Sequence, residues 1–204
     1  MSGTVVLLHG LWLGGAAMGF LQRHLRADGF EPHVFDYSSM QEGIESASAR
    51  LREFVGGFDG TVHLVGHSLG GVLAATIVQR DPGLIDGRIV CLGSPLCGSA
   101  ASRSFKRLPG GGALLGRSTE FLERGLDRWE GPQELGVVAG RLPIGLGFLL
   151  GGLHLPHDGT VSVEETRLAG MADHRVIVAA HTGLVFSDVA ARHVGTFLRD
   201  GRFG

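Results

Sequence analysis

Lysine is almost missing from this chain. Of its 18 basic residues only Lys106 is a lysine, and the formal net charge of −2 leaves no basic footprint for nucleic acid. Long apolar runs are missing too: no stretch reaches the roughly 20 residues that span a bilayer. The first apolar run, from Thr4, has no basic segment before it and is interrupted by His9-Gly10, so it does not read as a signal peptide. Cysteine is scarce. Cys91 and Cys97 make no disulfide framework, which sets a reducing cytoplasm as the expected location. There is no internal repeat, no low-complexity tail and no G-x-x-x-x-G-K-S/T loop for phosphates. These absences exclude nucleic-acid binders, membrane-spanning proteins, disulfide-stapled scaffolds and P-loop enzymes.

Glycine is abundant. There are 35 in 204 residues, against a usual level of about 7%. They follow no collagen period and recur between apolar runs, as turns and close backbone contacts require. At 44% hydrophobic and 19% charged, the chain is globular, and its length fits one domain.

Short β-rich runs alternate with helical patterns. The runs are Thr4–Leu8, His33–Tyr37, Thr61–Val65, Arg88–Leu92, Leu135–Ala139 and His174–Ala179. They are nearly continuous in Val, Leu, Ile and Cys, the pattern of strands buried on both faces. Helices are expected over Met18–Ala27, Gln41–Val55, Leu69–Arg80 and Asp188–Arg199. Ser39 with Glu42 three residues on reads as a capping box for the second. The alternation predicts an α/β fold with a mostly parallel sheet of about six strands and helices on both faces. Two segments break the rhythm. Pro95–Glu134, with an amphipathic helix expected over Ser118–Trp129, leaves room for a small cap or lid within 95–134. Leu142–Leu155 is apolar and reads as buried or groove-lining; Phe148 and Leu149 in it are candidates to touch an acyl chain.

Ser68 stands between the run ending at Val65 and the helix starting at Leu69. Gly66-His67-Ser68-Leu69-Gly70 matches G-x-S-x-G, the nucleophile elbow, in the strand–turn–helix context the motif needs. Side chains two residues either side of such a corner would collide, and the corner lifts the hydroxyl clear of the sheet. A serine needs a base, and in this architecture the partners follow in the order Ser, Asp or Glu, His. His9, His24, His33 and His63 precede Ser68. His67 would point away from it, His174 opens the last strand at the wrong end, and His193 lies within the last helix. His181, just after the last strand, is therefore the expected base. Asp158, in the turn His157-Asp158-Gly159-Thr160-Val161, is the expected acid, with Glu164 and Glu165 as nearest substitutes. Asp36 is expected to hold a loop. His154 and His157 have a metal-ligand look, but Pro156 between them argues against the helix such spacing needs, so no metal is expected. Cys97 could sit near the site mouth, but no partner to activate its thiol is evident.

HGLW at 9–12, GHSLGG at 66–71, GSPLCGS at 93–99, HDGTVSVEET at 157–166 and AAHTGLVFS at 179–187 together resemble the α/β-hydrolase superfamily, in particular small bacterial serine esterases and lipases. The resemblance covers nearly the whole chain. It implies that the backbone N–H groups of Leu11 and Leu69 form an oxyanion hole, with Trp12 as the alternative to Leu11; the Trp12 side chain, next to that turn, is a candidate either to touch substrate or only to close the loop. It further implies a Ser68-His181-Asp158 triad that needs no cofactor and cleaves carboxylic esters or lipids. A thioesterase or amide hydrolase would use the same residues; a non-catalytic binding protein on this fold would be expected to lack one of them. The modest size of 95–134 argues against the mobile lid that activation at an oil interface needs.

Overall fold

The computed structural model of the protein describes residues 3–145 and 153–204. Six strands form one sheet: β1 (Thr4–Leu8), β2 (Glu31–Phe35), β3 (Val62–His67), β4 (Ile89–Leu92), β5 (Leu135–Gly140) and β6 (Asp173–Ile177), in the order β2-β1-β3-β4-β5-β6. Every neighbouring pair is parallel. The strands β1, β3, β4 and β5 are wholly buried. This is what continuous apolar runs imply when helices cover both faces.

Alternate residues of each strand feed two cores. Val6, Leu8, Leu64, Cys91 and Val137 face α2 (Ile44–Val55) and α3 (Leu69–Arg80). Val5, Leu7, Val65, Leu92 and Val138 face α1 (Gly19–Ala27) and the C-terminal helix Asp188–Asp200. The last helix starts under a proper cap, since Ser187 Oγ accepts the Ala190 N–H at 3.2 Å. Between β4 and β5 lie three short helices, α4 (Ala100–Lys106), α5 (Gly111–Leu115) and α6 (Thr119–Arg124). We call the C-terminal helix α7.

The edges differ from the expectation. β2 begins two residues earlier than its apolar run, because Pro32 pairs with Val5 on an edge strand, where a missing N–H is tolerated. The other edge strand, β6, is only partly buried and ends at Ile177. The capping box at Ser39 and Glu42 does not form. The chain turns instead on the Ser38 carbonyl, the Glu42 carboxylate accepts from Ser46 Oγ and Arg50, and α2 starts after Gly43. The helix expected over Ser118–Trp129 ends at Arg124, because Gly125 takes φ +62° and Leu126 N–H turns away to the Leu96 carbonyl.

Phe197 of α7 is fully buried and lies over Gly136 of β5, where a Cβ would come within 2.5 Å of its ring. Phe197→Ala should therefore lower stability by about 3–5 kcal/mol, read from the midpoint of urea unfolding; a loss below about 1 kcal/mol would contradict this packing.

Candidate active site

All six strands end at one edge, and the candidate residues gather there. Ser68 links β3 to α3 with φ +53° and ψ −120°. An L-residue held in such a region costs of order 1–3 kcal/mol, so the surroundings must enforce it. Glycines do so by allowing close approach. A Cβ on Gly66 would lie 2.3 Å from Gly71 N, one on Gly70 2.3 Å from the Leu8 carbonyl oxygen, and one on Gly71 2.1 Å from Ser94 Oγ.

The next two members come from the loops after β6 and β5. His181 Nε2 lies 3.0 Å from Ser68 Oγ, and His181 Nδ1 lies 2.8 Å from Asp158 Oδ2. Asp158 is buried, and its other oxygen accepts the N–H groups of Thr160 at 3.0 Å and Val161 at 2.7 Å. The His181 N–H donates to the Asp158 carbonyl at 2.9 Å, so backbone and side chain both tie the two loops. Gly93, after β4, leaves room for the pair: a Cβ there would sit 3.1 Å from Asp158 Oδ2 and 3.2 Å from His181 Nδ1. Glu165, a substitute acid by sequence, is elsewhere engaged. Its carboxylate takes the Ser162 N–H and hydroxyl and the Ala100 N–H at the start of α4.

His67 is a contributor that sequence reasoning missed. The sequence suggests only that it points away from the serine. Its ring lies 4.8 Å from that of His181, and its Nε2 lies 3.0 Å from the His181 carbonyl oxygen. Burial pushes its pKa down to about 3, so the neutral ring donates through Nε2–H. No local pattern signals this contact, because the partner is 114 residues away.

The turn after β1 faces the serine. His9 anchors it: Nε2 lies 2.9 Å from Asp36 Oδ1, its carbonyl accepts the Tyr37 hydroxyl at 2.8 Å, and its ring stacks on Tyr37. Asp36 also accepts the Gly15 N–H at 3.3 Å, holding the loop as expected. Leu11, Trp12 and Ser68 line one pocket of about 510 Å³ with His181. The Leu69 N–H, first in α3, has no carbonyl one turn back to bond, and the Leu11 N–H donates to no described residue. The far wall comes from the 95–134 segment through Phe105, Leu115 and Leu122. Ile144 and Gly145 line the pocket too, but Phe148 and Leu149 lie outside the described residues. Cys97 is exposed, does not line the pocket, and turns its thiol to the Arg167 carbonyl. Among the described residues no cluster of His, Cys, Asp and Glu could hold a metal ion, and no helix is long and apolar enough to cross a membrane.

A family model described as the alpha/beta hydrolase family matches residues 5–144. The chain belongs to the alpha/beta hydrolase family. Solved structures agree on the fold. A Bacillus licheniformis lipase in its propeptide form superposes with TM-score 0.81 at 18% identity, over 97% of this chain and 50% of that one. The mature form of that lipase gives TM-score 0.77 at 18% identity over 96% and 90%. A metagenomic carboxyl esterase gives 0.67 at 17% identity over 87% and 64%. This chain thus spans half the length of the propeptide-form lipase. No curated protein sequence matches it.

If the corner depends on close backbone approach, Gly70→Ala should fail. Its new methyl would meet the Leu8 and His9 carbonyl oxygens at 2.3 and 2.5 Å. Overpacking of this kind costs about 1–3 kcal/mol, and thermal unfolding of the variant should show the loss; an unchanged transition would refute the elbow packing.

Proposed function

We propose that the chain is a serine hydrolase of carboxylic esters that works through an acyl-enzyme. The observation that carries this reading is the continuous line from a strained serine to a buried carboxylate, with Ser68 Oγ, His181 and Asp158 in contact at 3.0 and 2.8 Å. His181 Nε2 takes the Ser68 proton as Oγ attacks the acyl carbon. The N–H groups of Leu11 and Leu69 receive the negative oxygen, helped by the positive end of α3. The imidazolium, held by Asp158, then passes its proton to the leaving alcohol oxygen as the ester C–O bond breaks. A water molecule, deprotonated by His181, releases the acyl group as a carboxylic acid and returns the proton to Ser68. Asp158 stays a carboxylate throughout and fixes which ring nitrogen carries hydrogen. The scheme draws on no cofactor.

The pocket supports a lipophilic ester. About 510 Å³ is within the usual range for small-molecule sites, and apolar side chains such as Leu13, Phe105, Leu115 and Leu122 line it together with a few hydroxyls from Ser99, Ser102, Thr160 and Thr182. The lipase and carboxyl esterase among the similar folds support ester hydrolysis, and an N-formylmaleamic acid deformylase of the same fold keeps an amide or thioester as the second reading for the same residues. In this reading the chain is one α/β-hydrolase domain, 95–134 is a small fixed cap, and the free thiols of Cys91 and Cys97 suit a reducing cytoplasm.

On a chromogenic short-chain ester, Ser68→Ala and His181→Ala should each cost at least about 10³-fold in kcat, and the double variant little more, because the residues act as a unit. Asp158→Asn should cost about 10²–10⁴-fold. Losses that multiply, or a Ser68→Ala variant within tenfold of the parent, would defeat the assignment.

A further inference from the structure

Among the described residues only two other than glycine have positive φ, Ser68 at +53° and Trp12 at +60°. The elbow glycines account for the first. The second needs another cause, because Trp12 is 51% exposed and core burial cannot impose its conformation. The turn it belongs to is closed by the Leu13 N–H donating to the Gly10 carbonyl at 3.2 Å. Trp12 occupies the third position of that turn, with Leu11 before it at negative φ. This is the type II pattern, whose third position calls for glycine or asparagine. A tryptophan there gains nothing from turn chemistry; left to itself it would relax to negative φ and a type I turn. Types I and II differ by a flip of the central peptide, here the one joining Leu11 to Trp12; it carries the Trp12 N–H, which donates to no described residue, and both residues line the pocket with Ser68.

The side chain supplies the cause. Trp12 Nε1–H donates to the Leu114 carbonyl of α5 at 3.0 Å, and the indole lies 5.5 Å from the Phe105 ring of α4. Both contacts belong to the segment that roofs the pocket. The segment is held independently at its other side, where the Arg117 N–H donates to the Met40 carbonyl at 2.9 Å. The cap is thus a fixed post, and the indole is tied to it.

We propose that Trp12 is a positioning residue: its side chain, docked on α4 and α5, holds the Gly10–Leu13 turn in the type II form, and so sets the Trp12 N–H, which the central peptide carries, as a donor to the oxygen of the reacting carbonyl beside the Leu11 N–H. The cap then serves the chemistry as well as the walls of the pocket. This inference rests on Ser68 as nucleophile and on the turn after β1 as the source of oxyanion donors.

The test compares substitutions by what they permit at φ. Trp12→Ala loses the tie and cannot hold positive φ cheaply. Trp12→Gly loses the same contacts but is at home at the third position of a type II turn. On a short chromogenic ester, which reaches little of the pocket, Trp12→Ala should lower kcat about 10²-fold, the size of a lost oxyanion donor, with KM within about threefold. Trp12→Gly should stay within about tenfold of the parent. Trp12→Phe keeps a ring against Phe105 but loses the N–H, so it should also fall below Trp12→Gly; it gives the same contrast should Trp12→Ala not fold. Equal kcat for the Ala, Gly and Phe variants, or losses confined to KM, would overturn the proposal and make Trp12 a pocket wall only. A parent that cleaves no ester would sink the hydrolase reading itself, and this inference with it; a fully active parent with the wrong order of variants sinks the inference alone.

Discussion

The whole arrangement depends on how closely the start of α3 approaches the ends of β1 and β3. Ser68 can project from the sheet only because its backbone turns at positive φ, and that turn fits only where Gly66, Gly70 and Gly71 carry no side chain. The same closeness brings the free N–H groups at the start of α3 next to the turn that follows β1. The strain at Ser68 is offset elsewhere. β1 and β3 are wholly buried and paired along their length, and α3 packs almost its entire surface into the core. Strain held by an over-determined scaffold is characteristic of sites that must be pre-organised.

The electrostatic side follows the same logic. Burying a carboxylate is expensive unless its oxygens are satisfied. Asp158 is buried with one oxygen on two backbone N–H groups and the other on His181. That pairing holds the imidazole with Nδ1 on Asp158 and Nε2 toward Ser68. His67 adds a second restraint by holding the His181 carbonyl, and its burial keeps it neutral down to about pH 3. A charged ring there would crowd the imidazolium that the proposed reaction forms. Two loops that are far apart in sequence are thereby fixed by contacts that reach well beyond the three central residues.

Much of this was legible in the sequence, for physical reasons. Strands buried on both faces leave continuous apolar runs, so β1, β3, β4 and β5 stand out to within two residues. The elbow is legible because a steric demand leaves glycines at fixed spacing, and the strand order then limits where a base and an acid can stand. Edges were harder: Pro32 inside β2 contradicts strand chemistry until the strand is known to lie at the border of the sheet. Ser39 and Glu42 satisfy a capping pattern, but the Glu42 carboxylate finds better partners in Ser46 and Arg50. The apolar stripe of Ser118–Trp129 is real, yet Gly125 breaks the helix so that Trp129 can bury its ring and donate to the Gln133 carbonyl. The pocket was the least legible part. Phe105, Leu115 and Leu122 reach it from separate short helices of the 95–134 segment, and nothing local marks a residue whose partner is brought up by the fold.

The central claim is that Ser68 is the nucleophile, raised in reactivity by His181 and Asp158. The most direct measurement is mass spectrometry of the intact protein, followed by peptide mapping, after treatment with a fluorophosphonate. Such a probe is attacked by an activated serine and loses fluoride as the Oγ–P bond forms. The account predicts one adduct per chain, on the peptide that contains Ser68, and none at comparable times in His181→Ala. No adduct on the parent, an adduct at another residue, or equal labelling of the His181→Ala variant would contradict it.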